Sequence, residues 1–134
     1  MIATLLLAGT LFVGVLVAHF FALKAGTRWM AGRGAVGFAA FCLGLFVLHL
    51  FEVGLFAGGF EIGRALGLGE FQKPAEADAM DVFYFSLASF TTLGLGKVMP
   101  TGHLASLAGI ESFTGFLCVS MSAAALFKQV EKEL

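Results

Sequence analysis

Thr91-Thr92-Leu93-Gly94-Leu95-Gly96 lies between two apolar segments in the last third of the chain. Glycine at every second position opens backbone angles that a Cβ would forbid. A strand of this kind can turn successive carbonyl oxygens to one side, and a ring of such strands can replace the water shell of an ion. The chemistry on offer is coordination of a dehydrated ion by backbone oxygen. No nucleophile–base pair and no water-activating metal set accompanies it, so an enzyme is not expected.

The rest of the chain must hold that strand at membrane depth. Of 134 residues, 59% are hydrophobic and 13% charged, whereas a soluble domain carries about 25% charged residues. The mean hydropathy is +0.95. Sixteen phenylalanines against one tryptophan and one tyrosine suit contact with lipid. We read an integral membrane protein with the lipid bilayer as its surroundings. A formal net charge of −1 offers nothing to a nucleic acid.

Ile2 to Leu23 is apolar except for Thr4, Thr10 and His19, and about 20 residues span a bilayer. No basic residue precedes Ile2, so the segment reads as a retained helix and not a signal peptide. Residues 24–33 carry Lys24, Arg28 and Arg33 without an acid, which places them in the cytoplasm. Val36 to Phe60 is the second span, broken only by His49 and Glu52. Residues 61–80 are polar. Glu61, Glu70, Glu76 and Asp78 outnumber Arg64 and Lys73 there, so the loop belongs outside.

Asp81 to Phe90 is apolar but too short to cross. It has the form of a re-entrant helix feeding the strand at 91–96, because irregular backbone at that depth must be buried in protein or line water. Pro100 ends the excursion. His103 to Phe127 is the third span, interrupted by Glu111, and 128–134 is a short tail with Lys128 and Lys132. An outside N-terminus and a cytoplasmic C-terminus put both basic clusters inside.

Residues 36–127 thus run outer helix (36–60), turret (61–80), pore helix (81–90), filter (91–96) and inner helix (103–127). This order resembles the pore module of the tetrameric potassium channels, whose T-x-G-[YFL]-G signature is matched by Thr92-Leu93-Gly94-Leu95-Gly96. With a further helix and loop at 1–35 and a tail at 128–134, the chain is similar to small bacterial three-span members of the two-helix-pore "ion channel" family. The resemblance implies an all-α membrane protein of three transmembrane helices plus a re-entrant pore helix and filter strand, in a bacterial plasma membrane. It also implies a homotetramer that conducts monovalent cations, K+ above all, with no cofactor beyond the permeant ions.

By the same resemblance, the carbonyls of Thr92, Leu93, Gly94 and Leu95 form stacked K+ sites, closed by Gly96, and the Thr92 hydroxyl forms the innermost. Thr91, Tyr84 and Glu111 support the filter or line the cavity, and Gly115 is the hinge of the inner helix or a point of close packing. Phe127 is the bulky residue near the cytoplasmic mouth. The chain departs from the pattern at three positions. Leu95 replaces the commoner Tyr, so packing must replace a phenolic hydrogen bond. Lys97 stands where an Asp is usual: four lysines around an outer mouth would repel cations, whereas a Lys97 that bends outward would pair with a turret acid as an ordinary solvated charge. Ala88 stands where some relatives carry a Glu. These departures motivate two alternatives, a weakly selective cation channel and a non-conducting subunit that keeps the pore fold.

The polar residues within the spans complete the reading. A charge at bilayer centre costs about 3 kcal/mol, so such groups face protein or water. Glu111 is expected to reach the pore helix through Ser89 or Thr91. His49 and Glu52, three apart, share a helix face and are expected to join Glu111 in one polar network. As metal ligands they lack a second histidine at helical spacing or a cysteine pair. Cys42 and Cys118, isolated in apolar runs, read as small hydrophobes. His19 is expected to pair with another helix or to sit near the inner interface, and His103 at the outer interface. Gly54 and Gly58 suit close helix contact.

Overall fold

The computed structural model describes residues 1–72, 77–94, 96 and 98–133. Its elements are α1 (Ile2–Met30), α2 (Gly34–Ala65), β1 (Phe71–Gln72), α3 (Ala79–Phe90), β2 (Met99–Pro100) and α4 (Leu104–Glu133). Among the described residues α1, α2 and α4 are the helices long and apolar enough to cross a membrane, and α3 is a shorter apolar helix between two of them. At 1.5 Å per residue the 32 residues of α2 reach about 48 Å, well beyond a hydrocarbon core of about 30 Å. Its last turn is polar: Arg64 Nη1 lies 3.2 Å from Glu61 Oε2 and Arg64 Nε lies 3.1 Å from Glu70 Oε2.

Large apolar side chains cover the outside of all three long helices. Leu6 and Phe21 of α1, Leu43 and Phe51 of α2, and Phe113 and Phe116 of α4 are all exposed. In water such a surface would drive association; in lipid it is simply solvated. The inward residues are fewer. α1 and α3 each pack against both α2 and α4, and α2 also meets α4. The core joins Ala8 and Val15 of α1, Val53 and Phe56 of α2, Phe90 of α3, and Leu104 and Leu107 of α4.

A reciprocal cap fixes the start of α3. Asp78 Oδ1 accepts from the Asp81 amide at 2.8 Å, and the Asp78 amide donates to Asp81 Oδ2 at 3.0 Å. Two of the orphan donors of a helix start are thereby satisfied, and the acids lie at the positive end of the helix dipole. The cap opens the helix at Ala79, ahead of the apolar segment 81–90. Phe85 then meets Phe60 of α2 and Phe71 of β1 edge-on, with ring centroids 5.4 and 5.3 Å apart.

A short strand pair, not apparent in the sequence, clasps the loop after α2 to the chain that enters α4. Phe71 pairs with Pro100 and Gln72 with Met99, antiparallel. The Thr101 amide donates to Glu70 O at 2.8 Å, and the Thr101 hydroxyl donates to the same oxygen at 2.9 Å. The His103 amide donates to Leu68 O at 2.8 Å. The chain leaving 91–96 is thus tied to the loop that follows α2, and both ends of the excursion are anchored. His103 itself is exposed beside this clasp.

Candidate functional site

The segment from Thr91 onward grows directly out of the C-terminal turn of α3. The Thr91 amide and hydroxyl donate to Leu87 O at 3.1 and 2.7 Å, the Thr92 amide to Ser89 O at 3.0 Å, and the Gly94 amide to Ala88 O at 3.2 Å. The last carbonyls of a helix need such partners. Closing them folds the next residues back over the helix end, which forces unusual backbone angles. Thr92 has φ 58° and Gly94 φ 68°. For glycine this region is free, but for a β-branched threonine it costs about 1–2 kcal/mol.

Left-handed residues therefore fall at alternate positions, 92 and 94. Thr91, Thr92, Leu93, Gly94 and Gly96 are exposed in the single chain, whereas Phe90 and Val98 on either side are buried. Tyr84 is also exposed and Ala88 is buried. Leu95 and Lys97 lie outside the described residues, as do Lys73 and Glu76.

Behind the segment, α3 and α4 run in the same direction and meet turn by turn. Ser86 meets Glu111, Ser89 meets Ser112, and Phe90 meets Gly115. The Ser112 hydroxyl donates to Ser89 O at 2.9 Å. A Cβ built on Gly115 would lie 1.9 Å from Phe90 O, so only glycine admits this approach. Close packing accounts for Gly115 without any bend in α4.

The hydroxyl that Glu111 meets is that of Ser86, not Ser89 or Thr91. The register explains the difference. With Gly115 held against Phe90, a residue one turn earlier on α4 reaches one turn earlier on α3. The Ser86 hydroxyl donates to Val53 O of α2 at 2.9 Å, so three helices converge on one buried serine. Glu111 is fully buried, and among the described residues its Oε2 has no hydrogen-bond partner.

His49 and Glu52 do not join Glu111. They form a second polar centre with two residues that the sequence pattern left out of it, His19 of α1 and Ser122 of α4. Glu52 Oε1 lies 2.8 Å from His19 Nδ1, and Glu52 Oε2 lies 3.0 Å from His49 Nδ1. On the far side of both rings, Ser122 Oγ lies 3.1 Å from His49 Nε2 and 3.2 Å from His19 Nε2. The His49 ring also packs on Phe90, centroids 6.0 Å apart, immediately before Thr91.

A signal for this centre was present in the sequence. The buried residues of α1 include Thr4, Ala8, Val15 and His19, one stripe at helical spacing. On α4, Glu111, Gly115, Cys118 and Ser122 form a similar stripe of buried small and polar residues. By contrast, a Cβ placed on Gly54 or Gly58 would meet nothing within 4 Å on this chain, and close contacts of α2 with other helices fall instead at Gly59, against Leu11, and Gly63, against Leu104.

Three membrane-length helices, with a short helix and an irregular segment between the last two, define an all-α integral membrane protein. The family model described as "Ion channel" matches residues 38–132, most of the chain, and the protein belongs to that family. No curated protein and no solved structure matches it. The matched region holds α3, the 91–96 segment, Glu111 and Gly115. His19 lies in the helix that precedes it.

Proposed function

We propose that the chain forms a homotetrameric potassium channel in which four copies of Thr92-Leu93-Gly94-Leu95-Gly96 line the ion path. The observation that carries this reading is the alternation at Thr92 and Gly94. Left-handed residues at every second position are what turns successive carbonyls to one side, and they occur where α3 directs its negative end. The exposure of 91–94 and of Tyr84 on the single chain suits surfaces that other copies complete. In this reading the K+ sites are the carbonyls of Thr92, Leu93, Gly94 and Leu95, with the Thr92 hydroxyl innermost. Thr91, Tyr84 and the Ser86–Glu111 pair brace them from behind, and Lys97 stands at the outer mouth. The N-terminus is outside and the C-terminus cytoplasmic.

Leu95 and Lys97 favour a second reading, a cation channel that discriminates weakly between K+ and Na+. Ion flux from purified protein in liposomes tests the first proposal, and the reversal potential under opposed K+ and Na+ gradients separates the two. A tetramer without flux would leave a non-conducting subunit of the same fold.

A further inference from the structure

We propose that His19, Glu52 and Cys118 form a buried binding site for a divalent transition metal of the zinc class, with His49 as its fourth donor, joining α1 to the pore helices. One ligand atom from each of His19, Glu52 and Cys118 lies within 4.8 Å of the others. The three side chains come from three helices and are 0–1% exposed. His49 stands at the edge of the cluster, 23% exposed, with its Nδ1 3.0 Å from the same carboxylate. Imidazole, carboxylate and thiolate are the donors that Zn2+ takes in fourfold sites, and imidazole with thiolate disfavours Mg2+ and Ca2+.

Hydrogen-bond accounting supports an occupant. Two neutral imidazoles that donate Nδ1–H to Glu52 leave both Nε2 atoms as acceptors, and Ser122 has one O–H to offer them. Among the described residues, one of the two Nε2 atoms is then left without a donor. A metal bound at the nitrogens facing Glu52 moves both ring hydrogens to Nε2, where the two lone pairs of Ser122 Oγ accept them. Ligating histidines are commonly held in this way through their second nitrogen.

Charge balances as well. A dication with two imidazoles, one carboxylate and one thiolate sums to zero, the thiolate forming as Cys118 Sγ gives up its proton. Neutrality matters here because net charge within lipid is expensive.

The test uses the full chain in detergent, stripped with a chelator and titrated with Co2+, whose bond to thiolate gives a ligand-to-metal charge-transfer absorption. The expected result is one Co2+ per chain with that absorption, displaced by Zn2+. Cys42 and Cys118 are the two cysteines of the chain, so Cys42→Ser should keep the absorption and Cys118→Ser should lose it. Ser122→Ala should weaken Co2+ about 10–100-fold, and His19→Ala more. No thiolate absorption in the wild type or in Cys42→Ser protein, or absorption that survives Cys118→Ser, overturns the proposal. The Cys42→Ser titration decides the matter even where Cys118→Ser does not fold. The result is independent of whether 91–96 conducts K+.

Discussion

Gly115 sets the backbone of α4 directly against Phe90 O, the last carbonyl of α3. A methyl group there would meet backbone, which cannot rotate away. Overpacking a tight contact costs about 1–3 kcal/mol, and a clash at this distance belongs at the upper end. Gly115→Ala is expected to lower the thermal unfolding midpoint of the purified protein. Gly14→Ala on α1, where a Cβ meets nothing within 4 Å, should leave the midpoint unchanged or raise it. Equal midpoints for the two variants would show that α3 and α4 do not pack as described.

Ser86 is the shared hydroxyl between α2, α3 and α4. Ser86→Ala removes the partner of the buried Glu111 carboxyl, and an unsatisfied buried polar group costs about 1–3 kcal/mol. Glu111→Gln keeps a polar atom against Ser86 and should cost less. The measurement is the unfolding midpoint of both variants in one detergent. A Ser86→Ala protein as stable as the parent would mean that Glu111 finds another partner.

The spans and the 91–96 segment could be read from the chain because each depends on local sequence. Apolar length marks a helix that crosses lipid, and Thr-Leu-Gly-Leu-Gly marks a backbone open to left-handed angles. What pairs across helices could not be read in the same way. Glu111 finds Ser86 because Gly115 fixes the register of α4 on α3, and that register depends on a contact between residues 25 apart in sequence. Glu52 draws in His19, 33 residues away, although its nearer neighbour His49 was the visible partner. The clasp of Phe71 on Pro100 likewise rests on backbone pairing, with little trace in residue type.

Gly94 has φ 68°, and its amide closes onto Ala88 O at 3.2 Å. Placing an L-residue at that angle costs about 1–2 kcal/mol, enough to distort the segment without unfolding three long helices. Gly94→Ala is expected to keep the assembled protein, with an unfolding midpoint lowered by only a few degrees, while abolishing K+ flux from liposomes. Flux equal to the parent's would remove 91–96 from the ion path.

Lys97 follows the second glycine of the segment in sequence. On the proposed tetrameric reading it would supply four positive charges where cations arrive, and like charge at a mouth lowers their local concentration. The effect should depend on salt, because the screening length is about 30 Å at 0.01 M and about 3 Å at 1 M. Lys97→Asp is therefore expected to raise inward cation current several-fold at low ionic strength, with the two proteins converging near molar salt. Single-channel conductance across a series of K+ concentrations measures this directly. A ratio that stays constant with salt would place the Lys97 ammonium away from the ion path, and equal conductance at low salt would remove any electrostatic role for it.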